Sequence, residues 1–147
     1  MSRAAIAASI SLCALLVGCA GPRPQLASVD GELAPCKASR CVSSLAREPE
    51  YRVEPIRYEG SRESARLALL RIVGEMQGAK IVLQTEDYLH VEFTSSVLRN
   101  VDDLELQFPR RGQLVQVRSS SRVGYYDFDG NRERVEQIRA AFEAVQP

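Results

Sequence analysis

The sequence predicts an α+β fold: an antiparallel sheet of four to five strands with two helices packed on one of its faces. Two segments repeat their apolar residues at helical spacing, each with a single apolar stripe. Between them, consecutive segments alternate apolar and polar residues with a period of two. Short turns such as Arg111-Gly112 suit antiparallel hairpins. A helix with one apolar stripe must bury it, and the greasy face of an antiparallel sheet is the available partner.

The elements follow in chain order. Tyr51 to Tyr58 alternates loosely and contains Pro55, which restricts it to an edge strand. Ser61 is a suitable N-cap, with Glu63 in the first turn. From there Ala65, Leu69, Ile72, Val73 and Met76 mark one buried face, and Gly78 stops the helix. Four strands are expected next, at Ala79 to Thr85, Tyr88 to Thr94, Val101 to Phe108 and Gln113 to Ser120. Leu89, Val91 and Phe93 alternate against Tyr88, His90, Glu92 and Thr94. Leu104, Leu106 and Phe108 alternate against Asp103, Glu105 and Gln107, and Val115 and Val117 against Gln116, Arg118 and Ser120. One sheet face is therefore apolar and the other polar. The last helix starts with Asn131 as N-cap and carries Val135, Ile138, Ala141, Phe142 and Val145 on one stripe.

The N-terminus carries a targeting signal. Arg3 precedes an uncharged apolar run from Ala4 to Val17, shorter than the roughly 20 residues that span a bilayer. It ends in Leu16-Val17-Gly18-Cys19, which resembles the lipobox of bacterial lipoproteins. That resemblance implies cleavage before Cys19, lipidation of its thiol and attachment to a membrane, with multiple acyl chains holding firmly. Ala20, where an aspartate would signal retention in the inner membrane, implies the outer membrane, with the domain facing the periplasm. The expected divisions are a signal at 1–18, a flexible tether at 19–35 rich in Pro, Ser, Ala and Gly, and one α+β domain at 36–147.

Removal of the signal takes one charge, leaving 18 of the 19 basic residues against 19 acidic ones. A near-neutral chain gives no reason to expect nucleic acid as a partner. Of the four cysteines, Cys13 leaves with the signal and Cys19 takes lipid, so Cys36 and Cys41 remain. In an oxidising compartment they are expected to form a disulfide, contributing about 2 kcal/mol. Zinc would need four ligands, and two thiols with the lone His90 are too few. Asp127-x-Asp129-x-Asn131 resembles the start of a calcium loop, but Arg132 and Phe142 stand where a glycine and a glutamate are needed. No metal or cofactor is expected.

Several separated motifs resemble one family. They are Cys36-x4-Cys41-Val42-Ser43-Ser44, Tyr88-Leu89-His90-x-Glu92, Val101-Asp102-Asp103-x-Glu105, Arg118-Ser119-x-Ser121-Arg122-x-Gly124-x-x-Asp127 and Asn131-Arg132. In this order, over about residues 34 to 142, they resemble the domain of unknown function 1499, many members of which are lipoproteins or secreted proteins. That family implies no activity. Its pattern places glycine where Asp129 stands here, with Gly130 next.

The candidate polar-face or ligand residues are His90, Glu92, Asp102, Asp103, Glu105, Arg118, Ser119, Ser121, Arg122 and Asp127. They allow two arrangements: cross-strand acid–base pairs, or a concavity whose arginines offer forked donors to a small anionic ligand. The balance of charges favours the pairs, and with them a non-catalytic envelope lipoprotein that meets a partner protein or small ligand. The alternative is a small periplasmic hydrolase using His90 and a neighbouring acid. No sharp-turn nucleophile motif accompanies the serines.

Overall fold

The computed structural model describes residue 26 and residues 32–124, 127 and 129–146. The signal, Cys19 and most of the tether lie outside the described residues. Among the described residues no helix is long and apolar enough to cross a membrane.

The elements run β1 (Cys41–Ser43), a 3-10 turn (Pro49–Tyr51), β2 (Ile56–Arg57), α1 (Arg62–Glu75), β3 (Ala79–Gln84), β4 (Tyr88–Thr94), β5 (Val101–Gln107), β6 (Leu114–Ser121) and α2 (Gly130–Glu143). The six strands form an antiparallel sheet ordered β1-β6-β5-β4-β3, with β2 also on β6. Strands β3 to β6 fall where the sequence places them, with a register shift between Ile81 and Leu83 in β3.

Two strands differ from the expected count. β1 pairs Cys41, Val42 and Ser43 with Ser120, Ser119 and Arg118, and β2 pairs Ile56 and Arg57 with Val115 and Leu114. They lie end to end along the outer edge of β6. The expected strand from Tyr51 to Tyr58 is thus cut down to a 3-10 turn and two paired residues. Neither short strand spans enough residues to show a period.

Ser61 caps α1 through its side chain, which accepts the Ser64 N–H at 3.0 Å. Gly78 ends that helical region at φ +78°, where a Cβ would meet the Thr94 carbonyl oxygen at 2.5 Å. Any other residue would clash with β4 as well as strain the turn.

At α2 the cap differs from the sequence expectation. Asp129 is the N-cap, held in the left-handed region at φ 64° without a side-chain cap bond. Asn131 lies inside the first turn and is fully buried. The carboxylate of Asp127 supplies the missing acceptor, taking the Asn131 N–H at 2.9 Å.

The core lies between the helices and one sheet face. Leu69 and Val73 of α1 and Val135, Ile138 and Phe142 of α2 meet Leu89, Val91, Leu104, Leu106, Val115 and Val117. Arginines of α2 also hold the chain before β2: Arg132 donates to the Glu50 and Arg52 carbonyls and Arg139 to those of Glu54 and Pro55.

Candidate functional site

The polar face of the sheet forms two cross-strand rows. His90 stands opposite Glu105, Glu105 opposite Arg118, and Arg118 opposite Ser43. The next row runs Glu92, Asp103, Ser120 and Cys41. Side chains in such rows are neighbours across the strands. The disulfide between Cys36 and Cys41 closes this corner of the sheet, with Cα atoms 5.5 Å apart.

Alternation explains the chemistry of this face but not its burial. Glu105 is 0% exposed, Asp103 1%, His90 6%, Glu92 8% and Arg118 9%. Charges removed from water to this degree need partners, and each has one. Arg118 Nη1 donates to Glu105 Oε2 at 2.8 Å, and the Tyr88 hydroxyl donates to Glu105 Oε1 at 2.7 Å. Arg122, just past the end of β6, reaches back over the second row. Its Nε donates to Asp103 Oδ2 at 2.8 Å, and its Nη2 donates to Asp103 Oδ1 at 2.7 Å and to Glu92 Oε1 at 2.6 Å. His90 Nε2 lies 2.8 Å from Asp103 Oδ1. An ionised carboxylate only accepts, so this nitrogen carries the proton. Arg118 Nε is buried without a hydrogen-bond partner.

Burial pushes the Asp103 carboxyl up, but hydrogen bonds from Arg122 and His90 and their charges outweigh it and hold the group below the ordinary aspartate value. The Asp103 hydrogen bond, followed by that of Glu92, raises Arg122 above the usual arginine value against the opposing effect of burial. Tyr88 is raised by burial first and by the adjacent Glu105 carboxylate second. Its hydroxyl therefore remains a donor.

The expected site residues divide between the two faces. His90, Glu92, Asp103, Glu105, Arg118 and Arg122 share the polar face. Asp102, Ser119 and Ser121 do not, because each is one residue out of phase with it. They face α2. Ser119 Oγ donates to Asn131 Oδ1 at 2.5 Å, while Asn131 Nδ2 donates to Ser121 Oγ at 2.9 Å and Asp127 Oδ2 at 2.6 Å. Asp102 accepts from Arg134 Nη2 at 2.6 Å, and the Arg134 guanidinium stacks 4.7 Å above the Phe93 ring centroid. Asp127 is a helix cap. Arg134 was not singled out from the sequence; its spacing of three from Asn131 was the available signal that it borders the buried stripe.

Among the described residues the arrangement does not assemble a serine nucleophile with His90. Ser120 is the serine of β6 on the polar face, and it lies two strands across and one row along from His90, a separation of about 12 Å. Ser43 Oγ accepts the Leu45 N–H at 3.1 Å, and Ser44 Oγ donates to Gln116 Oε1 at 2.6 Å. Among the described residues no group of three or more His, Cys, Asp or Glu could hold a metal ion. Beside the Arg134–Asp102 pair lies a polar cleft of about 420 Å³, lined in part by Met76, Phe93, Ser95 and Gln137.

A family described as "Protein of unknown function (DUF1499)" matches residues 32–142. No curated protein and no solved structure matches the chain.

Proposed function

The chain belongs to the DUF1499 family of proteins of unknown function, and from that premise we propose that it is a non-catalytic, lipid-anchored domain of the bacterial cell envelope. It is held at the outer membrane through Cys19, faces the periplasm, and meets a partner protein or small anionic ligand at the rim of its polar sheet face. The mutual pairing of the buried charges carries this reading. Arg118 with Glu105, and Arg122 with Asp103 and Glu92, form a fixed platform in place of a poised acid and base. The anchor rests on Leu16-Val17-Gly18-Cys19, and the outer-membrane address on Ala20.

Metabolic labelling with a clickable fatty acid, followed by membrane fractionation, tests the anchor. The wild-type chain should carry label and sediment with outer membranes, and Cys19→Ala should lose both. Equal labelling of the two would refute the anchor. The His90–Asp103 contact favours a second reading, a hydrolase with His90 as base. Ester- or amide-hydrolysing activity of the purified chain that disappears in His90→Gln, with the fold intact, would replace the non-catalytic reading.

A further inference from the structure

The β4–β5 hairpin ends in an apolar tip. Val97 is 85% exposed and Leu98 71%, whereas the other exposed large hydrophobics among the described residues lie between 40% and 50%. These two are consecutive. The loop that presents them is closed at its base, with the Ser95 N–H donating to the Asn100 carbonyl at 2.9 Å and the Asn100 N–H to Ser95 Oγ at 3.1 Å. Arg99 follows at φ 58°, a left-handed conformation that a long side chain rarely adopts. Strain of this kind persists where surrounding structure enforces it. The apex is therefore built to hold two aliphatic side chains out in water. Val123 borders the same tip, lining one cleft with Val97 and Leu98.

The charges at this end of the sheet match an anionic surface. Exposed Lys37 and Arg99 and half-buried Arg40 lie around it, and among the described residues none of the three forms an ion pair with a carboxylate. Arg40 is fixed by carbonyls alone, donating to Ser121 O at 3.0 Å and Gly124 O at 2.7 Å. Of the two acids lining that cleft, Asp102 is ion-paired with Arg134, and Asp127 is turned to the Asn131 amide at the start of α2.

We propose that the Val97-Leu98 tip inserts into the interface of a lipid bilayer, with Arg99, Arg40 and Lys37 at the headgroups. This inference rests on the lipid-anchor reading for its source of membrane. The 13 residues from Cys19 to Glu32 span at most about 47 Å, which keeps the domain close enough to lie on the surface it is tied to. Aliphatic side chains beside basic ones favour that position. The tip then fixes which end of the sheet faces the membrane and turns the β5–β6 end towards the periplasm.

The chain has no tryptophan, so Leu98→Trp supplies a single reporter at the tip, and Arg111→Trp one on the exposed β5–β6 turn at the opposite end. The mature chain, beginning at Cys19, is attached to phosphatidylethanolamine–phosphatidylglycerol vesicles by its own acyl chains. Should fatty-acid labelling show none, a maleimide lipid coupled to the Cys19 thiol replaces them. The position-98 emission should move to shorter wavelength and be quenched by brominated acyl chains, while position 111 should show neither change. Absence of quenching at 98, or equal quenching at both positions, overturns the proposal. A wavelength shift at 98 without quenching also overturns it, by showing protein at the tip. Because coupling restores attachment, failure of the anchor and failure of the insertion are read separately.

Discussion

Arg122 holds Asp103 with two parallel hydrogen bonds, Nε to Oδ2 at 2.8 Å and Nη2 to Oδ1 at 2.7 Å, on a carboxylate that is 1% exposed. Forked pairing of this kind is geometrically selective as well as strong. It joins the end of β6 to the middle of β5, and through Glu92 to β4. Acid sensitivity follows from it. Asp103 is held below its unfolded value of about 3.9. Its contribution to stability is therefore complete above about pH 4 and is lost as pH falls through the folded value. Urea midpoints measured from neutral pH to pH 2 should fall for the wild type. Asp103→Asn should begin lower and fall less steeply. Identical slopes would remove Asp103 from the account.

Glu105 is fully buried and depends on Arg118 and Tyr88. Arg118→Ala leaves that carboxylate without its cation and should destabilise by about 3 kcal/mol. Replacing Arg118 and Glu105 together with leucine should recover part of the loss, because no buried charge is left unpaired. Chemical denaturation of the single and double variants measures the coupling. Additive losses would show that the two do not act as a pair.

Asn131 is bonded to Ser119, Ser121, Asp127 and the Arg40 carbonyl, and is 0% exposed. Asn131→Ala should cost about 2 kcal/mol by leaving several buried groups unsatisfied. The opposite finding, a loss no larger than that of an exposed helix position, would show that water replaces the amide.

The Cys36–Cys41 bridge closes a short loop. Its removal in Cys36→Ala should lower stability by about 2 kcal/mol and leave the fold intact. Thiol titration of the unfolded mature chain, without reductant, should count Cys36 and Cys41 as absent. Two additional reactive thiols would contradict the bridge.

Strands β4 to β6 were legible because alternation over seven to eight residues separates one face from the other. The same alternation foresaw Arg118 and Glu105 on one face. It would also have assigned Ser119, Ser121 and Asp102 to α2, but the motif that groups them with the arginines obscured their phase. β1 could not be read, since three residues show no period and their partners in β6 lie far along the chain. The burial of the polar face was equally hidden. Alternation tells which residues share a side, not whether that side meets water. Asn131 looked like a cap because asparagine commonly is one; the carboxylate of Asp127 performs that task and frees the amide for the interior.

The two short strands on the outer edge of β6 set the order in which the chain can fold. Cys41–Ser43 and Ile56–Arg57 find their strand partners at Leu114–Ser120, and the intervening Glu50–Pro55 stretch is held by Arg132 and Arg139. Such distant pairings form slowly, after the loop between them has closed. Cys41–Ser43 and Ile56–Arg57 therefore have no strand to pair with until β6 has been made. A chain cut short before Leu114 would leave both early segments without the strand they pair with, so truncation from the C-terminal side should undo the beginning of the domain as well as its end.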